Sequence, residues 1–151
     1  MKRALFFVGM TFIFLIGSNY GASCLDANKT YNCGKLIVKI SNIDPPQGVI
    51  RLGLYNSRDS YEKRKSFEGA CITVQHTSVT TTFECLPPGF YAIMFYHDKN
   101  NNNKFDRFLG IPTERYGFSN NIRPIFKAPD FDKVKFFIGK GDIVKQDLIA
   151  Q

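Results

Sequence analysis

Short runs in which apolar and polar residues alternate, separated by turn sequences, make up most of the chain. The first two runs, 35–40 and 50–55, are separated by a break at 44–48 that contains two prolines and a glycine. Because successive side chains of a β-strand point to opposite faces, each run predicts a strand with one buried face. The apolar positions are Leu36, Val38 and Ile40 in the first run and Ile50, Leu52 and Leu54 in the second.

Five more strands are predicted further along the chain, at 71–75, 80–86, 90–96, 134–138 and 143–149. The first two of these are expected to form a hairpin, and 90–96, apolar on both faces, a central strand covered on both sides. The polar segment 56–69 is predicted to be a loop with one short helical turn. About seven short strands without a long helical period predict an all-β, antiparallel, immunoglobulin-like sandwich over residues 35–151; a closed barrel is the alternative.

Residues 1–23 have the order of a secretory signal peptide. Lys2 and Arg3 precede the apolar run 4–16, and small, weakly polar residues follow it. The run is short for a membrane span of about 20 residues, and Gly21 and Ser23 suit cleavage just before residue 24. We expect an exported chain, periplasmic or extracellular, with a linker at 24–34 and no transmembrane segment after cleavage. An uncleaved signal anchor is the alternative.

All four cysteines, Cys24, Cys33, Cys71 and Cys85, follow the predicted cleavage site. An even number in an oxidising compartment favours two disulfides, for which three pairings exist. Cys71 and Cys85 are symmetric about Ser78, so we expect them to face each other across the predicted hairpin, and Cys24 to close a small loop with Cys33. Lipid attachment at Cys24 is the competing interpretation, since the three residues before it are small.

The net charge of the chain narrows the choice of partners. Removal of residues 1–23 takes away Lys2 and Arg3 and no acid, which lowers the net charge from +7 to +5. A mildly basic exported domain can attract anionic surface polymers, although such a charge also serves solubility. No basic stripe is interleaved with aromatic residues after residue 23, so nucleic acid is not an expected partner. The expected partner is an envelope protein or a polysaccharide.

Oxygen-bearing side chains recur at every second position just after the predicted central strand. This spacing is typical of calcium loops, in which alternate residues supply oxygens and one position supplies its backbone carbonyl. Lys104 is the expected carbonyl donor, and Glu114 would have to fold back to complete the ligand set, because the twelfth loop position is Leu109. A loop ordered by its own hydrogen bonds is the alternative. The predicted calcium ligands are Asp98, Asn100, Asn102, Lys104, Asp106 and Glu114.

Aromatic residues stand among small polar ones at 116–121, and this segment is a candidate binding surface if it is exposed. If it is buried, it anchors a long connection to the sandwich. His97 continues the alternation of the preceding strand, where a hydrogen-bonded structural histidine is the commoner finding than a metal ligand or a catalytic base. The candidate surface consists of His97, Tyr116, Phe118, Ser119, Asn120 and Asn121.

The segment 86–121, LPPGFYAIMFYHDKNNNNKFDRFLGIPTERYGFSNN, is similar to the signature of DUF2141, a family of exported bacterial proteins of unknown function. The family pattern runs L-P-x-G-x-Y-A, then H-D-x-N-x-N-G-x-x-D, then L-G-x-P-x-E-x-[YF]-G-[FY]-S-N. Residues 54–57 upstream, and Pro129 with Phe131 downstream, also fit. The likeness spans about 35–149. The corner at 86–91 also resembles the L-P-P-G-x-Y turn of prealbumin-like sandwich domains.

Three departures from the family pattern bear on the loop and its packing. Asn103 stands where the family has glycine, and Val134 stands where it usually has alanine. Lys99 and Lys104 place positive charge beside the predicted cation. The resemblance implies a sandwich fold and export, and it brings no established activity.

The expected function is therefore a non-enzymatic binding or interaction module of the cell envelope. No nucleophile motif and no phosphate-binding glycine loop is visible. The alternative is a hydrolase of envelope polymers that uses Asp98, Asp106 or Glu114 as acid and base, which requires two carboxyls in an open cleft and one raised pKa. A small chaperone with an open sheet edge is a third hypothesis.

Overall fold

Two β-sheets pack face to face in the computed structural model, which describes residues 32–124 and 127–151. The predicted signal peptide and Cys24 lie outside the described residues. The long strands are β1 (Gly34–Ser41), β2 (Val49–Tyr55), β3 (Glu68–Thr73), β4 (Val79–Leu86), β5 (Gly89–Asp98) and β10 (Ile143–Ile149), and β8 (Tyr116–Phe118) is a short one. The first sheet has the strand order β10-β1-β4 and the second the order β3-β2-β5-β8.

The shorter elements lie mostly between β5 and β10. The segment 99–106, which we call the polar loop, follows β5, and a two-stranded hairpin extends from it. β8 pairs with β5, and β9 pairs with the beginning of β5. Helix α1 begins after Ser57, whose hydroxyl accepts a hydrogen bond from the Ser60 backbone in a capping box. The bounds are α1 (Arg58–Glu62), β6 (Arg107–Phe108), β7 (Ile111–Pro112), β8 (Tyr116–Phe118), a 3₁₀ turn (Ser119–Asn121), α2 (Phe131–Val134) and β9 (Phe136–Ile138).

The main core fills the space between the two sheets. The alternating apolar residues of β1 and β2 face inward and are buried, as the periodicity predicts. β5 lies between β2 and β8, and a second, smaller cluster covers its other face beneath the two helices. The predictions of a central strand and of an all-β sandwich are therefore confirmed, but the outer face of β5 is covered only in part: Phe90 is exposed, and Met94 and Tyr96 are half-buried. The second cluster consists of Tyr55, Tyr61, Ala92, Phe118, Phe131 and Val134.

Two details of the predicted strands were wrong. The sandwich is not wholly antiparallel, because β10 pairs in parallel with β1, and Lys35 lies opposite Ile143. Val134 belongs to α2 rather than to a strand, and only Phe136–Ile138 pairs with β5. The alternation of Val134, Phe136 and Ile138 predicts a strand that begins at the valine. In the structure Val134 lies in a helical turn, which lets Phe131 and Val134 face the same small core.

The predicted pairings of Cys71 with Cys85 and of Cys24 with Cys33 were also wrong. Strands β3 and β4 do not form a hairpin: β3 pairs with β2 in the second sheet, and β4 pairs with β1 in the first. The disulfide instead joins Cys33, just before β1, to Cys85, at a bulge in β4, with Cα atoms 4.6 Å apart. Cys71 is a free, exposed thiol among the described residues. The disulfide indicates a non-cytoplasmic environment.

In the described part of the chain, none of the helices has the length and apolar character needed to span a bilayer.

Candidate functional site

Asp98, at the end of β5, holds the start of the polar loop to the second sheet. Its side chain is 0% exposed. The Oδ1 atom accepts a hydrogen bond from the backbone N–H of Asn102 at 3.0 Å, and Oδ2 accepts one from Asn103 at 2.9 Å. The Nε of Arg51, on the neighbouring strand β2, donates to Oδ2 at 2.7 Å. One carboxylate thus joins the loop backbone to a strand.

The surroundings of Asp98 stabilise its ionised form. Burial by itself raises the pKa of the carboxyl, but the hydrogen bonds from Arg51, Asn103 and Asn102 outweigh burial and hold the pKa below the ordinary value of 3.8. Asp98 is therefore a carboxylate at neutral pH. A general acid needs a shift in the opposite direction.

Asn100 and Asn102 fold the loop through short side-chain to backbone bonds. Their Oδ1 atoms accept from the backbone two residues ahead, at 3.2 Å for Asn100 and 2.8 Å for Asn102. Their amide nitrogens donate to the carboxylate of Asp106 at 2.8–3.0 Å. Asn101 and Asn103 have φ angles of 58° and 64°, a left-handed conformation that asparagine adopts more readily than most residues.

Glu114 closes the loop from its far end. The side chain is buried, and its Oε1 accepts from the backbone N–H of Lys99 at 3.2 Å while Oε2 accepts from that of Asp106 at 3.1 Å. Thr113 donates its backbone N–H to the carbonyl of Asp106 at 3.0 Å. One buried carboxylate therefore fixes both ends of the loop, as the prediction of a fold-back by Glu114 required.

The predicted calcium ligands are close together, but they do not form an open oxygen cage. The carboxylates of Asp98, Asp106 and Glu114 each accept at least two hydrogen bonds from the chain. Lys104 is exposed, and its backbone N–H donates to Asn102. Within 32–124 and 127–151, no three His, Cys, Asp or Glu side chains are grouped to hold a metal ion. As arranged, these residues do not fit calcium, and the calcium loop predicted from the sequence stays a hypothesis that a calcium titration must decide.

Two residues of the predicted binding surface, His97 and Ser119, are buried and bonded to the chain itself. The Nε2 of His97 lies 2.6 Å from the carbonyl oxygen of Gln47. The Ser119 hydroxyl accepts from the backbone N–H of Ile93 at 2.9 Å and donates to the carbonyl of Val134 at 2.5 Å. Ser119 thereby fills the gap along β5 between its partners β8 and β9.

Asn120 and Asn121 bind the edges of neighbouring elements. The side chain of Asn121 donates to the carbonyl of Asp147 at 2.8 Å and accepts from the backbone N–H of Ile149 at 2.9 Å, so it occupies part of the outer edge of β10. Asn120 donates from its side chain to the carbonyl of Lys135 at 3.2 Å. An edge occupied in this way is a poor template for an incoming strand, so nothing here favours the chaperone hypothesis.

A large cleft lies over the outer face of the second sheet, with a volume of about 1120 Å³. We refer to it as the sheet cleft. Tyr96 of β5 and Tyr116 and Phe118 of β8 form its aromatic side, next to Met94 of β5. On β2 and β3, Gly53 and Gly69 lie opposite each other and add no side chain to the surface. Gly53 leaves room for the Tyr55 phenol, since a Cβ at Gly53 would lie 2.8 Å from the Tyr55 Oη atom.

The polar loop and the hairpin that extends from it form one wall of the sheet cleft. Phe105 packs between Tyr96 and Tyr116, with ring centroids 5.4 Å from each. Burial raises the pKa of Tyr96, so its phenol is neutral and can both donate and accept hydrogen bonds at neutral pH. Tyr116 and Phe118 are thus the two predicted surface residues that line the cleft.

Two arginines face the sheet cleft without an acidic partner in the described part of the chain. The guanidinium carbon of Arg64 lies 5.3 Å from the ring centroid of Tyr61, and that of Arg107 lies 5.0 Å from the ring centroid of Phe105. Neither arginine belongs to any of the salt bridges among described residues. The cleft lining described here contains no Asp or Glu. The remaining arginine, Arg51, is neutralised by Asp98.

Sequence reasoning missed most of the residues that line the cleft. Met94 and Tyr96 were assigned to a strand buried on both faces, and the alternation gave no sign that one end of the outer face stays open. Arg64 was assigned to a solvated loop. Two residues could have indicated the cleft from the sequence: Gly53 on β2, and Arg64, which follows α1. Neither indicates a cleft by itself, because the cleft forms only where β3 and the hairpin lie beside the sheet.

Comparison with known proteins gives one match. The family model described as "Uncharacterized protein conserved in bacteria (DUF2141)" matches residues 38–146, well over half of the chain. A search of the curated proteins and a search of the solved structures each found no match.

Proposed function

This chain belongs to the DUF2141 family of uncharacterised bacterial proteins, and on that premise we propose that it is an exported, non-enzymatic module that binds a segment of an acidic envelope polysaccharide in the sheet cleft. The observation that carries the proposal is a cleft that combines an aromatic surface with two arginines, Arg64 and Arg107, which form no salt bridge among the described residues; the described lining has no acidic side chain.

The aromatic side of the cleft suits a sugar ring. One face of a pyranose is made of C–H groups, and it packs against an aromatic ring while the hydroxyls remain free for hydrogen bonds. Tyr96 and Tyr116 present such rings on either side of Phe105, whose ring centroid lies 5.4 Å from each of theirs, and the two phenols supply polar groups at their tips. A volume of about 1120 Å³ exceeds that of many small-molecule pockets and can hold several sugar residues.

The two arginines favour an acidic polymer over a neutral one. A guanidinium can hold a carboxylate through two parallel hydrogen bonds while its flat face rests on an aromatic ring. Arg64 follows the end of α1 with a φ angle of 57°, at a position where helices usually place glycine or asparagine. A long basic side chain at this left-handed position has no backbone advantage, and its placement beside the cleft supports a role in binding.

Export is supported by two observations. The disulfide between Cys33 and Cys85 is stable in an oxidising compartment, and the first 23 residues have the order of a signal peptide. Both fit a module that meets polymers of the cell envelope.

No observation favours the hydrolase. Asp98, Asp106 and Glu114 line no part of the sheet cleft, and their oxygens are engaged in ordering the loop. The lowered pKa of Asp98 is the wrong shift for a general acid.

Isothermal titration calorimetry with tetragalacturonate as the acidic probe tests the proposal. We expect binding, and we expect each of Arg64→Gln and Arg107→Gln to weaken it about tenfold, since each removes a charge-assisted hydrogen bond. Maltotetraose, a neutral probe of the same length, is expected to bind much more weakly.

Lys145→Gln is the matched control, because it removes one exposed positive charge from β10 in the other sheet. It should leave the affinity for tetragalacturonate unchanged. Equal affinity for the acidic and the neutral probe, or equal losses in all three variants, would contradict the proposal.

A further inference from the structure

We propose that the hairpin β6–β7 is a membrane finger: its apolar tip inserts into the interface of a bilayer that contains anionic lipids. The tip comprises Phe108, Leu109 and Ile111, which are 69%, 87% and 69% exposed. Three large apolar side chains so exposed within four residues form a concentrated patch, unlike the single apolar residues scattered over most surfaces.

The conformation of Leu109 is the second observation. Leu109 and Gly110 both have positive φ angles, 49° and 83°, as the two central residues of a tight hairpin turn. Such turns favour Asn-Gly or Asp-Gly, because leucine is disfavoured in the left-handed region. An asparagine at position 109 would suit both the backbone and the solvent. A strained, fully exposed leucine serves neither, and residues that break local rules without structural gain mark functional sites.

The charges around the finger select an anionic surface. Lys99 and Lys104 in the loop, and Arg107 beside the tip, are exposed cations. The three acidic residues of the same region, Asp98, Asp106 and Glu114, accept hydrogen bonds from the loop. An apolar tip with cationic side chains on the adjoining loop and strand matches the boundary between acyl chains and anionic headgroups.

The base of the finger is rigid, so the tip is held outward. Glu114 and Asp98 fix the two ends of the loop, and Phe105 packs between Tyr96 and Tyr116. Phe108 and Leu109 do not line the sheet cleft, whereas Ile111 and Arg107 do, so the finger borders the cleft. Vesicle binding through Leu109 and polymer binding through Arg64 are separate readouts, because Leu109 is no part of the cleft lining and Arg64 is no part of the finger.

Vesicle co-sedimentation of the chain without the predicted signal peptide (residues 24–151) tests the finger, because the apolar run at 4–16 would itself bind lipid. We expect binding to vesicles of equal parts phosphatidylglycerol and phosphatidylethanolamine, weaker binding at high salt, and little binding to phosphatidylcholine vesicles. Leu109→Asn removes apolar surface from the tip and should weaken vesicle binding at least about tenfold. The same variant should keep or raise the melting temperature, because asparagine suits the left-handed turn.

Ile143→Ser is the matched control, since Ile143 is 65% exposed on β10 in the other sheet. It should leave vesicle binding unchanged. Three results would overturn the inference: no binding of the unaltered chain to anionic vesicles, equal losses in Leu109→Asn and Ile143→Ser, or a concentration-dependent dimer that Leu109→Asn abolishes, which would make the tip a contact between copies of the chain.

Discussion

At the scale of single residues, the motif that reads as a metal site is a set of structural hydrogen bonds. Asp98 accepts from two loop amides and from Arg51, and Glu114 accepts from two more loop amides. The same residue types at the same spacing serve calcium loops, since both uses need short side chains whose oxygens point inward. Sequence spacing predicts that the oxygens converge, and the three-dimensional structure shows which N–H groups of the chain they accept from.

Replacement of Asp98 by asparagine should destabilise the fold and change its response to acid. The buried site loses charge-assisted hydrogen bonds, which costs roughly 1–3 kcal/mol of unfolding free energy. Because the folded-state pKa of Asp98 lies below 3.8, its contribution to stability is complete above that value and is lost as the pH falls through the folded-state pKa. In urea unfolding from pH 6 down to pH 2.5, the unfolding free energy should therefore fall less steeply with decreasing pH in Asp98→Asn than in the unaltered chain.

Asp132→Asn is the control for that experiment. Asp132 also has a lowered pKa, caused by hydrogen bonds from Lys135 and Arg58, but it lies at the surface. Solvent screens its ion pairs, so its loss should change stability little. If the unfolding free energy depended on pH equally weakly in both variants, the acid sensitivity would not come from the buried carboxylate of Asp98.

At the scale of elements, the alternation of apolar and polar residues predicts where the strands lie but not which strands pair. The runs that became β1, β2, β4 and β5 were placed correctly because one face of each is buried. The alternation of β3 and β4 is the same whether they pair with each other or with β2 and β1. Pairing depends on contacts distant in sequence, so the false hairpin and the false disulfide followed from one local assumption.

The polar loop gives a prediction about calcium. Because the loop carboxylates already accept hydrogen bonds from the chain, millimolar calcium should leave the melting temperature unchanged relative to a chelator. Differential scanning calorimetry in calcium, in magnesium and in EDTA measures this. A rise specific to calcium, abolished by Asp106→Asn, would show instead that the loop rearranges around a cation.

At the scale of the whole molecule, the sheet cleft is assembled from elements that are distant in sequence. The core shared by the two sheets and the disulfide hold the sandwich together, and the second sheet keeps one end of its outer face open as the sheet cleft. The residues that create this opening come from β2, β3, β5, β8 and the hairpin. No stretch of sequence contains the cleft, so the fold class could be predicted and the site could not.

The Cys33–Cys85 disulfide should contribute substantially to the stability of the sandwich. It links residues separated by 52 positions, and restriction of the unfolded chain over such a loop is worth about 2–4 kcal/mol. The double variant Cys33→Ala, Cys85→Ala should lose that much unfolding free energy in urea titrations. Cys71→Ala, at an exposed thiol, is the control and should lose far less. Equal losses would mean that Cys71 takes part in a stabilising bond.

Met94 offers the most direct test of the sheet cleft as a binding site. It is the sole methionine after residue 23, and it lines the cleft. Its ¹³C-labelled methyl group therefore gives one NMR signal from the site. We expect titration with tetragalacturonate to shift this signal in a saturable way, and the shift to disappear in the double variant Arg64→Gln, Arg107→Gln. A methyl signal unmoved by a ligand that calorimetry shows to bind would place the binding site elsewhere and contradict the account.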